Sequence, residues 1–179
     1  MKKTLNTAVK NQQGFTLLEL LLVVGVGAIL LLAGIATYRL VTEGNNVNEA
    51  SRLLTTVKQQ VQRLYQGQNT YGAGDISTAL INAGAIAVAN VNTGGTTIVS
   101  PWNTPIVVTA ATANFTIAFQ DLPQEACIQL GTTDVGDDPD FVGVTIAGGG
   151  SITTTPTVVQ ANTGCSATVA NNDIIWTFF

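Results

Sequence analysis

The chain has 179 residues, 46 % of them hydrophobic and 10 % charged, enough for one modest domain and an additional segment. All seven basic residues lie at or before Arg63, and the eight acids beyond it meet no Lys or Arg, so residues 64–179 carry a formal charge of −8. That sign repels phosphate backbones and argues against direct nucleic-acid binding. With no histidine and two cysteines, the chain also falls short of a tetrahedral zinc site, so no metal or cofactor is expected.

Residues 1–14 (MKKTLNTAVKNQQG) are polar, with three lysines and no acid. Phe15 to Ala36 follow as 22 residues holding a single charge, Glu19, a run long enough to cross a bilayer as a helix. Lysines on one side only place the leading end in the cytoplasm. A secretory signal, with Gly34 and Ala36 as small residues for cleavage, shares this outline, as does an uncleaved anchor. Two features oppose the signal: the apolar run exceeds the usual signal core, and it contains a carboxylate, which would serve no purpose in a plain anchor either. A charge inside a membrane helix is costly and usually functional.

Beyond Ala36 the pattern turns amphipathic. Val47, Ala50, Leu53, Leu54, Val57, Val61, Leu64 and Tyr65 recur at steps of three and four, while Arg52, Lys58, Gln59, Gln62 and Arg63 fall mostly on other faces. No proline interrupts Phe15 to Leu64, which predicts one helix over 15–65, its 15–36 part membrane-spanning. Gly25, Gly27, Gly34 and Gly44 each weaken that helix by about 1 kcal/mol relative to alanine. Gly25 and Gly27 suit either local melting or close packing between helices.

From Gln66 onward turn residues and short apolar segments alternate. Asp75 is placed to cap a helix Ile76–Ala83 that ends at Gly84. Pro105–Ala110 and Asn114–Phe119 read as a hairpin with a three-residue loop. Asp121, with Gln124 three positions on and Pro123 in the first turn, opens a predicted helix to Leu130. Phe141–Ala147 reads as a strand, Gly148–Gly150 as a loop, Thr157–Ala161 as a weak strand, and Ile174–Phe179 as a buried last strand. The expected fold is α+β, a long helix on an antiparallel sheet. In an exported chain the even pair Cys127 and Cys165 reads as a disulfide, two buried free thiols being the alternative. Asp134, Asp137, Asp138 and Asp140 lack the alternate spacing and distal Glu of a calcium loop and read as a solvated surface loop. No residue set supplies a catalytic pocket, so no catalytic residue and no enzyme activity is expected.

Gly14-Phe15-Thr16-Leu17-Leu18-Glu19, followed by the unbroken apolar stretch, resembles the cleavage and methylation site of type IV prepilins. The resemblance implies that residues 1–14 are a leader cut by a prepilin peptidase between Gly14 and Phe15, and that Phe15 is N-methylated. Glu19 would then be the assembly residue, its carboxylate neutralising the Phe15 ammonium of a neighbouring copy within an apolar core. Arg63-Leu64-Tyr65-Gln66-Gly67 with Tyr71, Ser100-Pro101-Trp102-Asn103, and Leu122-Pro123-Gln124-Glu125-Ala126-Cys127 resemble type IVb pilins. That group includes bundle-forming and toxin-coregulated pilins and the thin-pilus pilins of conjugative plasmids. The chain departs from many of its members in its shorter leader, in Phe15 as first mature residue, and in Ala36 where many have proline.

The implied function is a major structural subunit, held in the inner membrane as a prepilin and then assembled as a helical homo-oligomer into an extracellular pilus. Its implied partners are other copies, the prepilin peptidase, an assembly ATPase and an inner-membrane platform. The pilus would serve adhesion, aggregation or conjugation. Alternatives are a minor pilin or tip adhesin, in which the head recognises a receptor, a type II secretion pseudopilin, and a DNA-uptake pilin, against which the missing cations beyond Arg63 count.

Overall fold

The computed structural model describes residues 16–166 and 172–179. The predicted long helix is present as α1, Leu17–Leu64, continuous through all four of its glycines. Packing divides the chain inside this helix: residues up to Val41 form one unit and Thr42–Phe179 the other. Among the described residues of the first unit, large apolar side chains are exposed on every side of the helix. In the second, Ala50, Leu53, Leu54, Val57 and Val61 form a buried stripe, as their spacing demands, with Val47 and Tyr65 packed at its ends. Leu64, expected in the stripe, is instead 40 % exposed, because it turns toward the flank shared with Gln60, Arg63 and Ala83–Ala85.

The remaining elements are β1 Gly74–Asp75, α2 Ser77–Asn82, a single 3-10 turn Val88–Asn90, β2 Ile98–Val99, β3 Pro105–Ala110, β4 Phe115–Phe119, α3 Gln124–Gly131, β5 Phe141–Ile146, α4 Val158–Gly164 and β6 Ile174–Phe178. Every strand pairing is antiparallel, in the order β1-β3-β4-β6-β5, with β2 pairing a second stretch of β3. The registers stack inward-facing residues into rows. Val108, Ile117, Trp176 and Val144 make one row, and Ile106, Phe119, Ile174 and Ile146 another, all of them buried. These rows and the α1 stripe share one core, so the alternation of each strand and the helical period meet on a common surface. Trp176 packs edge-on against Phe119 at 5.4 Å. Its buried indole N–H has no acceptor among the described residues, a cost the burial of so large a ring offsets.

The local corrections have physical causes. Thr157–Ala161, read as a strand, begins α4. The Thr157 hydroxyl accepts from the Gln160 amide at 3.3 Å, and the Gln160 side chain accepts from the Thr157 N–H at 2.9 Å. This reciprocal cap overrides the β-preference of Thr157, Val158 and Val159. Asp121 does not cap α3. Its backbone is left-handed, with φ 50°, and its N–H donates to Asp173, so the helix starts only after Pro123. Asp75 sits one residue ahead of the α2 cap position, yet its carboxylate still accepts from the Ser77 N–H at 2.8 Å. The β3–β4 loop has four residues, since Asn114 stays outside β4.

Cys127 on α3 and Cys165 at the end of α4 are joined by a disulfide. It closes a loop that contains β5, and both sulfur-bearing residues are buried. In the chain-entropy account such a loop stabilises the fold by about 4 kcal/mol. Cys127→Ser, or reduction of the native protein, is expected to lower the melting temperature by roughly 10 °C. Equal melting curves with and without a reductant, followed by circular dichroism, would contradict this.

Candidate functional site

Glu19 lies in the first turn of α1, fully on the surface of its unit. The turn is fixed by Thr16, whose hydroxyl accepts from the Glu19 N–H at 3.2 Å and whose carbonyl accepts from Leu20. A carboxylate here also meets the positive end of the helix dipole. Around it Leu17, Leu18, Leu20, Leu21, Leu22, and the Val and Leu residues that follow to Leu32, are all exposed. A helix that is apolar on all sides must be covered by lipid or by other protein. A Cβ added to Gly25, Gly27 or Gly34 would meet nothing within 4 Å, so their small size leaves room for an outside neighbour. Gly14 and Phe15, the expected cleavage and methylation positions, lie outside the described residues.

The second unit holds the helical stripe to the sheet by polar contacts at its margins. Near the start of that part of α1, the Trp102 indole N–H donates to the Glu43 carboxylate at 3.0 Å. Further along, Lys58 is only 8 % exposed, although its spacing assigned it to an outer face. Its ammonium donates to both Asp138 oxygens and lies 3.1 Å from Asp140. It also sits 5.4 Å from the centre of the Phe178 ring. The Gln62 amide donates to Asp140 at 2.8 Å, and the Asp140 carbonyl receives the N–H of Phe179.

Burial alone pushes the Lys58 ammonium toward neutrality and is the largest single influence. The hydrogen bonds and charges of Asp138 and Asp140 together outweigh it and leave the pKa raised. The Asp140 carboxyl is held below its ordinary value, first by the Gln62 amide and then by Lys58. Tyr71 is raised, by burial and then by the charge of Asp140. The acidic loop is therefore not simply solvated. Asp138 and Asp140 neutralise a buried cation, and Asp134 accepts from Thr155 at 2.8 Å. Among the described residues no group of His, Cys, Asp and Glu is arranged to hold a metal. Lys58 escaped the sequence reading because helical periodicity does not reveal which polar residue a carboxylate loop will cover.

Two family models and several known proteins are similar to this chain. A family model described as PilS N terminal matches residues 44–179, and the prokaryotic N-terminal methylation motif matches residues 9–35. The chain belongs to the PilS family of type IVb-like pilins. The pilin is 25 % identical, over 93 % of its length and 94 % of theirs, to the major structural subunits of bundle-forming pilus from Escherichia coli O127:H6 and O111:H-. Its fold is similar to the type IVb pilin of Salmonella typhi, with TM-score 0.54 and 22 % identity over 75 % of this chain and 97 % of that one. It is also similar to TcpA of Vibrio cholerae El Tor, with TM-score 0.50 and 20 % identity over 74 % and 98 %.

Removing Lys58 leaves two carboxylates facing each other, so Lys58→Met is expected to destabilise the pilin by about 2 kcal/mol near neutral pH. This is less than a fully enclosed pair would lose, because the acids are partly exposed and screened. Asp140 is lowered in the folded state, so its contribution is present above the ordinary carboxyl value of 3.8 and is lost as pH falls through the folded pKa. The gap between wild type and variant should therefore close in acid. Thermal melts at pH 7 and pH 3 test this, and a gap of equal size at both would refute the ion-pair assignment.

Proposed function

We propose that this pilin is the major structural subunit of a type IVb-like pilus, made as a membrane-held prepilin and polymerised into a surface filament. The observation that carries the reading is a single carboxylate, Glu19, in a helix otherwise apolar and exposed from Leu17 to Ile35. Lipid can hold such a segment before assembly, and the same segments from other copies can hold it afterwards. The name of the Escherichia coli relatives, a major subunit of a bundle-forming pilus, supports the same role.

The mechanism begins with insertion of Phe15–Ala36 into the inner membrane, lysines inward. A prepilin peptidase removes residues 1–14, and the new amino terminus at Phe15 is methylated, as the motif over residues 9–35 supports. An ATPase and a membrane platform then extract the helix from lipid into the core of a filament. There Glu19 of one copy accepts the Phe15 ammonium of another. An unpaired charge in that core is strongly disfavoured and a paired one tolerated, so the pair fixes the register between copies.

Glu19→Ala is expected to leave leader removal intact while reducing surface pili at least tenfold. Mass spectrometry of the membrane-held subunit checks the first outcome and electron-microscopic counts the second. Normal pilus numbers from this variant would overturn the role of Glu19, and a wild-type subunit that still carries residues 1–14 would overturn the processing scheme.

A further inference from the structure

The chain has five prolines, and Pro139 alone among them follows an aspartate, Asp138. A peptide bond of this kind is labile in acid. The aspartate carboxyl attacks its own main-chain carbonyl carbon and closes a cyclic anhydride, and the proline nitrogen leaves. That nitrogen belongs to a tertiary amide with no hydrogen of its own, and it takes up a proton more readily than other peptide nitrogens.

The fold favours two parts of this reaction and restrains the third. The Asp138 carbonyl oxygen accepts from the Phe141 N–H at 3.0 Å, a donor that polarises the carbonyl and stabilises the oxyanion formed on attack. Pro139 is exposed, so solvent protons reach the leaving nitrogen. The nucleophile, however, is occupied. Both Asp138 carboxylate oxygens accept from the Lys58 ammonium, and Oδ1 also accepts from the Asp140 N–H at 3.0 Å. Lys58 is itself fixed, by burial on α1, by Asp140 at 3.1 Å and by the Phe178 ring. An oxygen that turned toward the carbonyl carbon would have to leave these donors.

We propose that the Asp138–Pro139 bond is a self-cleavage site, which Lys58 holds shut at neutral pH and acid releases. Acid acts twice in the same direction. It weakens the attraction between the carboxylates and Lys58, and it supplies the proton that the leaving nitrogen takes. The other ionisable groups about the turn are Asp137 and Asp140 in the loop and Tyr71, which feels the charges of Asp140 and Lys58 and stays neutral in acid. In the step, an Asp138 carboxyl oxygen bonds to the Asp138 carbonyl carbon and the bond to the Pro139 nitrogen breaks. The electron pair stays on nitrogen, which takes a proton. One water then opens the anhydride, leaving two free carboxyls on Asp138 and a free amine on Pro139. The cut falls inside the loop closed by Cys127 and Cys165. Residues 139–179, with β5, α4 and β6, therefore stay covalently joined to the rest of the head. The inference concerns the head alone and stands apart from the filament reading.

The test follows the purified full-length pilin, disulfide intact, by mass spectrometry between pH 7 and pH 3. Cleaved protein should gain the mass of one water and remain a single species until it is reduced. Reduction should then free a fragment that begins at Pro139. At pH 4.5 Lys58→Met should be cut at least fivefold faster than wild type, and the ratio should approach one at pH 3. Lys58→Arg keeps the charge and should be cut near the wild-type rate. Val108→Ala loosens the buried core on β3 without touching the loop, and it too should keep the wild-type rate, which separates loss of the hold from loss of stability. Asp138→Glu is too long to close the same ring and should stay intact. Should Lys58→Met fail to fold, wild type unfolded in guanidinium at pH 4.5 gives the unrestrained rate, with the same excess over the folded chain expected. Equal rates for wild type and Lys58→Met at pH 4.5, equally fast cleavage of Val108→Ala, an unfolded chain cut no faster than the folded one, or a cut at another bond would each overturn the proposal.

Discussion

One helix in this pilin must satisfy two surroundings, and the rest of the molecule follows from that demand. From Leu17 to Ile35, α1 offers apolar side chains in every direction, and among the described residues of its unit nothing covers them. From Ala50 to Val61 it offers a single stripe, which the sheet covers. The change from one pattern to the other occurs without a break in the helix, so composition alone sets which part stays with the head. The compact unit accordingly begins at Thr42, inside the helix.

The margins of the stripe are fastened by polar groups that lie far apart in sequence. Trp102 reaches Glu43, and Asp138 and Asp140 reach Lys58. Such contacts add less energy than the apolar rows, but they are directional and oppose sliding of the helix along the sheet. The disulfide closes the loop that carries both aspartates, from α3 to the end of α4. Lys58 therefore draws on a loop whose freedom is already limited by a covalent bond.

Much of this was legible in the residues. The apolar run, the stripe, the hairpin of β3 and β4, the strands β5 and β6 and the two helices α2 and α3 each follow from a local period or a turn signal. The motif from Gly14 to Glu19 was the most informative, since a carboxylate is rarely kept in an apolar run unless a partner meets it there. What escaped notice depended on contacts between distant segments. The two-residue strands β1 and β2 are too short to have a period and exist only because β3 offers them an edge. The burial of Lys58 required knowing that Asp138 and Asp140 would be folded over it. The α4 error was different, because Thr157 and Gln160 already held a capping signal that β-branched neighbours obscured.

The strand β6 carries a consequence for how the molecule is made. It lies between β4 and β5, yet it follows both in the chain, and Trp176 at its centre joins Ile117 to Val144. Until that stretch is in place, the two halves of the sheet have no common neighbour and the inner rows stay unfilled. Closure of the head therefore waits for β6: a chain stalled short of this segment presents open strand edges and an incomplete core.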